Sequence, residues 1–240
     1  MSQALSQPDP TVVDELAAVH AFYTALAPGL DPERGLGGQL LYAGLLDPAA
    51  CCLLRAANIA GAASLAASDS PEALRQALRD GVIDFLVTSL DEALRILKNE
   101  IRKRQPVAVG ISAPSAQIGE EMMVRGVQPD LLPLDPAAIE PPCARESFLA
   151  RGARAIEPLP LQEGIQLHVW QVPAPWAQRI SQLDARLLAQ LPADAHDLRR
   201  WLRLAPRYLS AKARRLRSLA CNETTAALLQ NCLDSLPSQA

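Results

Sequence analysis

With 240 residues, 49% of them apolar, the chain is long enough for one large or two small domains around a sizeable core. Only 4% of the residues are aromatic, so that core must be built from Ala, Leu, Val and Ile. The formal net charge of −3 argues against a general attraction to nucleic acid or an anionic membrane, and no apolar run reaches the ~18 residues of a membrane span.

The first ten residues are polar and carry two prolines, which predicts a frayed end without the basic and apolar regions of a signal peptide. Residues 11–26 place Val12, Leu16, Val19, Phe22 and Leu26 on one helical stripe, with Thr11 as its N-cap. The run QLLYAG at residues 39–44 reads as the first buried strand of a parallel sheet. Asp47 followed by Pro48 is a helix-start signal, an N-cap carboxylate before a proline at the first helical position. That helix should run to residue 59 and be closed by Gly61.

Strands are then expected at residues 62–67, 83–87, 106–111 and 130–134. Helices lie between them at residues 71–79, 90–104 and 115–125, the last two capped by Ser89 and Ser115. Strands alternating with helices imply a parallel sheet with right-handed crossovers. The fold class is therefore α/β, a Rossmann-like doubly wound parallel sheet with a helical C-terminal extension. The expected divisions are an N-terminal helical segment at 1–37, a Rossmann core at 38–136, and a linker, edge strand and helical extension at 137–240. In the last part, the Pro-rich stretches LLPLDPAAIEPP and AIEPLPLQ read as linkers or wrapping loops. IQLHVWQV at 165–172 reads as a strand, followed by helices at 175–190, 195–204, 206–220 and 223–236.

Several of these patterns recur in one order in a known family. The strand ending Ala43-Gly44, the helix end Ala57-Asn58-Ile59-Ala60-Gly61, the run SPEALRQALRDGVIDFLVTSLDEALRILK, the strand VAVGIS and the segment RGVQPDLL together resemble the Rossmann-like NAD-binding domain of urocanases (urocanate hydratases). The resemblance covers residues 39–132 and implies the strand order 3-2-1-4-5. It also implies an NAD site after the first strand, where the family carries a glycine-rich loop.

The residues depart from that implied site. A dinucleotide pyrophosphate needs backbone N–H groups at a helix N-terminus, approached where glycine has no Cβ. The corresponding stretch here is LLDPAACC: no glycine follows Gly44, Pro48 removes a donor, and Asp47 puts a carboxylate where phosphate would sit. Ser68, with Asp69 beside it, stands where an acidic residue would hold the ribose. Ala113-Pro114 replaces a Gly-Asn pair, and LPLDP replaces a DQTSAH-like motif. The large flanking segments that supply the urocanase catalytic Cys and Tyr have no room in this chain.

No catalytic residue is therefore assigned, and neither a cofactor nor a metal is expected, NAD being kept as an alternative. His20, His168 and His196 lack ligand spacing. The five cysteines, odd in number and without CxxC, read as reduced thiols in a cytoplasmic protein. Adjacent Cys51 and Cys52 diverge by about 100° on a helix and read as buried small residues. GISAPS lacks the second glycine of a nucleophile elbow. Any ligand is expected at the switch-point cleft, lined by Gly44, Asp47, Ser112 and Ser115.

Eight cations (Arg199, Arg200, Arg203, Arg207, Lys212, Arg214, Arg215 and Arg217) fall within 19 residues with no acid among them, interleaved with Trp201 and Tyr208. Such a surface could meet nucleic acid through phosphate contacts and stacking, or an acidic protein surface. Three functions are thus carried forward. The first is a non-catalytic domain that binds a small polar ligand or a partner protein, with a homodimer or partner contact through the C-terminal helices. The second is a urocanase-related lyase or NAD-binding enzyme completed by another subunit. The third is nucleic-acid binding through the Arg-rich helices. No membrane association is expected.

Overall fold

A computed structural model of the chain describes residues 9–172, 176 and 179–234. It divides into two compact units, residues 18–159 and residues 1–17 with 160–240. The expected fraying of the first residues, the start of the helix expected at 175–190 and the end of the helix expected at 223–236 lie outside the described residues.

Helix α1 (Pro10–Leu26) spans the division at residue 17, and in the larger unit it is followed by β1 (Leu40–Leu45), α2 (Pro48–Ala60), β2 (Ala63–Ser68), α3 (Pro71–Arg79), β3 (Phe85–Val87), α4 (Leu90–Lys103), β4 (Val107–Ser112), α5 (Ser115–Val124), β5 (Leu131–Pro133), α6 (Pro142–Ala150) and β6 (Arg154–Ile156). The caps follow the chemistry of the sequence at three helices. Asp47, Ser70 and Ser89 accept from the N–H groups of Ala50, Ala73 and Glu92, and Pro48 and Pro71 open their helices. Two expected caps differ. Asp9, not Thr11, holds the start of α1, its carboxylate accepting from both the N–H and the hydroxyl of Thr11. Pro114 precedes α5, and Ser115 is the first helical residue rather than a side-chain cap.

All six strands are parallel, in the order β3-β4-β2-β1-β5-β6. This corrects the expected order 3-2-1-4-5: β4 lies between β3 and β2, not beside β1. Burial explains the placement. Five successive residues of β4, Val107 to Ile111, are buried and need cover on both faces, whereas β3 is three residues long and partly exposed, which suits an edge.

Helices α4, α5 and α6 cover one face, where Leu65, Val109, Leu94, Ile118 and Phe148 share a core. Helices α2 and α3 pack on the other, where Gly110 leaves room for Leu74 and Ile83. Of the Pro-rich segments read as linkers, residues 131–142 hold β5 and lead into α6, and residues 155–162 begin within β6. Strand β6 pairs with β5 and extends the sheet beyond the stretch recognised in the sequence.

The smaller unit holds β7 (Gln166–Gln171), α7 (Ile180–Gln190), α8 (His196–Tyr208), β8 (Leu216–Cys221) and α9 (Glu223–Asp234). Here the expected helix at 206–220 is replaced. α8 runs on through Pro206 in its last turn, and residues 216–221 form a strand antiparallel to β7. Every residue of β8 is buried, Arg217 and Ser218 being satisfied by Asp184 and Trp201, as suits a strand covered on both sides. Strand β7 therefore pairs with β8 in a separate two-stranded sheet. Helices α8 and α9 pack on β8, and the buried Trp201 indole donates to the Ser218 carbonyl at 3.0 Å.

Candidate functional site

Strands β1 and β5 are neighbours whose following helices leave toward opposite edges and opposite faces. Their C-terminal ends consequently flank the crevice in which doubly wound sheets accept ligands. A cavity of about 230 Å³ opens there. Ala43 of β1, Pro133 of β5 and Ile156 of β6 form its floor, Ala50 and Leu53 of α2 one wall, and Phe22 of α1 and Pro158 another. Asp47 and Asp135 are its acidic lining residues.

Of the four residues expected at the switch point, Asp47 lines this cavity. It spends Oδ1 on the N–H of Ala50 at 2.7 Å. Gly44 sits at the end of β1 with φ +73°, just beyond an irregularity in the pairing with β2. A Cβ there would collide with the carbonyl of Ala138. Ser112 and Ser115 lie at the end of β4 and the start of α5, with β2 between β4 and β1. Ser115 is tied to β1 through the core instead, its carbonyl accepting the Tyr42 hydroxyl at 3.1 Å. Burial pushes that phenol's pKa up.

The segment after β5 roofs this end of the sheet. Asp135 accepts from the N–H of Ala137 at 2.9 Å and starts a 3-10 turn, Pro136–Ala138. The Ala138 carbonyl lies over Gly44, and the Glu140 carbonyl lies over Gly119 of α5 in the same manner. Arg145 of α6 donates to the Leu134 carbonyl at 2.7 Å and holds the segment's start. Pro133, Asp135, Ile156 and Phe22 escaped the sequence reading. They gather only once β5 is known to neighbour β1 and β6 to neighbour β5.

The other candidate residues have local roles. Ser68, at the position where a ribose-binding acid was sought, accepts from the N–H of Ser70 at 3.1 Å. Cys51 and Cys52 are half-buried on α2, and burial, reinforced by Cys52, pushes the Cys51 thiol up to about 11. His20 hydrogen-bonds Thr24 at 3.2 Å, and His168 stacks on Trp170 at a centroid distance of 6.0 Å. Among the described residues, no three His, Cys, Asp or Glu side chains are grouped to hold a metal ion.

Three cations of the Arg-rich segment are turned inward, while Arg203, Arg207, Lys212 and Arg214 are exposed. Arg217 is buried and forks onto Asp184 at 2.6 and 2.9 Å, and Arg199 caps the carbonyls of Leu188 and Leu191. Arg200 is buried, and Arg207 lies over the Tyr208 ring.

Six parallel strands, helices on both faces and a cleft at the switch point define a Rossmann-like α/β domain. Residues 37–139 match the family described as the urocanase Rossmann-like domain. The match runs from just before β1 to the turn over Gly44, so this stretch of the larger unit is a urocanase Rossmann-like domain. No helix among the described residues is long and apolar enough to cross a membrane.

Proposed function

We propose that this chain carries a urocanase-like Rossmann domain that works as a non-catalytic binder, taking a small polar ligand in the cleft between β1 and β5. The dinucleotide site implied by the fold has been lost. One observation carries this reading: the chain's own backbone, at Ala138, fills the glycine-lined space through which a pyrophosphate would approach the end of β1. Asp47 adds to it. Its carboxylate satisfies the N-terminus of α2 that a phosphate would use, and like charges repel there. At about 230 Å³ the cavity falls below the ~300–1,000 Å³ of pockets for drug-sized ligands.

The inward use of Arg199 and Arg217 reduces the exposed cations of the Arg-rich helices to Arg203, Arg207, Lys212 and Arg214 among the described side chains, which weakens the nucleic-acid reading. A protein of the cytoplasm fits five cysteines that form no disulfide among the described residues.

The test is titration of the purified chain with NAD⁺, followed by thermal shift and calorimetry. A ligand at a hundredfold excess over its Kd stabilises the folded state by about 2.7 kcal/mol. No shift at millimolar NAD⁺ is expected. A saturable shift would revive the alternative, an NAD-binding enzyme completed by another subunit.

A further inference from the structure

We infer that the β1/β5 cleft selects a small organic cation, an ammonium or amidinium on a compact apolar body; this rests on the cleft being the ligand site. The apolar body is argued from the walls. Phe22, Leu53, Pro133 and Ile156 supply hydrocarbon and no polar side-chain atom.

The charge is argued from the remaining lining. Asp47 and Asp135 each fix one carboxylate oxygen on a backbone N–H, of Ala50 and Ala137, which locks the side chain in place. The other oxygen of each makes no described hydrogen bond within the protein. None of the described lining residues is Lys, Arg or His. Arg145 donates to the Leu134 carbonyl and is not one of the lining residues.

The N-terminus of α2 contributes the opposing field, equivalent to roughly half a positive charge. Two carboxylates outweigh that half charge, and a crevice with low-dielectric walls focuses the net negative field. An anion of the same shape meets repulsion and finds no donor side chain.

Three probes of similar shape separate the contributions: benzylammonium, benzyl alcohol and benzoate, each titrated by calorimetry at neutral pH into the full chain. Benzylammonium is expected to bind at least tenfold more tightly than benzyl alcohol, with no detectable binding of benzoate. Asp47→Asn and Asp135→Asn keep a capping oxygen, so the helix starts survive while the charge is lost. Asp47 is half-buried and Asp135 exposed, so D47N should cost more of the preference than D135N, and the double variant should abolish it.

Equal binding of the alcohol and the ammonium, or tighter binding of benzoate, would overturn the cation assignment and leave the cleft as a ligand site. Failure of all three probes to bind would overturn both. Binding of benzylammonium undiminished in the folded double variant would place the cation elsewhere on the protein and also defeat the assignment.

Discussion

The backbone carbonyl of Ala138 occupies the space that a side chain on Gly44 would need. Gly44 also holds φ +73°, a conformation that L-residues with a Cβ rarely adopt. Gly44→Ala therefore combines backbone strain with a collision against a fixed carbonyl. Its expected cost is about 3 kcal/mol, read as a lowered urea midpoint. Retention of wild-type stability would mean that the turn over Gly44 yields freely.

Gly119 supplies a sharper test because propensity and packing have opposite signs there. In the interior of a helix, Gly→Ala gains about 1 kcal/mol. A Cβ at Gly119 would, however, overlap the Glu140 carbonyl. Gly119→Ala is expected to destabilise by about 1–2 kcal/mol, the collision outweighing the propensity. A stabilised variant in urea denaturation would refute that balance.

Tyr42 joins β1 to α5 through its hydroxyl on the Ser115 carbonyl, with its ring edge-on to Phe148 at 6.2 Å. Tyr42→Phe keeps the ring contact and removes the hydrogen bond. A loss of about 1 kcal/mol is expected in equilibrium denaturation, the net worth of one buried hydrogen bond.

Burial pushes the thiols of Cys51 and Cys221 up to about 11 from an ordinary 9.0. Each folded pKa lies above its unfolded value, so the unfolded chain releases these protons first as pH rises. The stability this contributes is fully present below pH 9 and is lost between pH 9 and 11. A denaturation series should fall across that window, and Cys51→Ala should flatten the fall. At neutral pH both thiols stay protonated, so iodoacetamide should label exposed Cys143 first, as read by peptide mass spectrometry.

In the smaller unit, Arg217 is 3% exposed and is held in a fork by Asp184. Arg217→Ala leaves that carboxylate without its partner and removes the link from β8 to α7, at an expected cost of about 3 kcal/mol. The paired change of Arg217→Met with Asp184→Leu should recover much of the loss. If it does not, packing rather than charge explains the single variant.

How far the sequence could be read is clearest at Asp47. The Asp-Pro pair announced the helix start, and Asp47 is the cap and part of the cleft wall. Local chemistry of this kind is written in neighbouring residues. Strand order is not, because it depends on which strand most needs cover. Val107 to Ile111 formed an evident strand, yet its place between β3 and β2 follows from comparing burial needs across the sheet. Leu216 to Cys221, with Arg217 and Ser218 inside it, is too short for periodicity to separate strand from helix. Around the cleft, Phe22, Pro133 and Ile156 carry no chemical signature, so only the assembled sheet shows them together.

The seam between β1 and β5 also bears on the order in which this molecule can fold. The N–H of Leu40 donates to the Asp130 carboxylate, and the N–H of Asp130 donates to the Leu40 carbonyl, both at 2.8 Å. Ninety residues separate the two partners. Strands β1 and β2 can meet once the single crossover through α2 is made, whereas this seam must wait for a far longer chain closure. The cleft is thus a late product of folding. A chain halted before Asp130 would own the first wall of its pocket and lack the second.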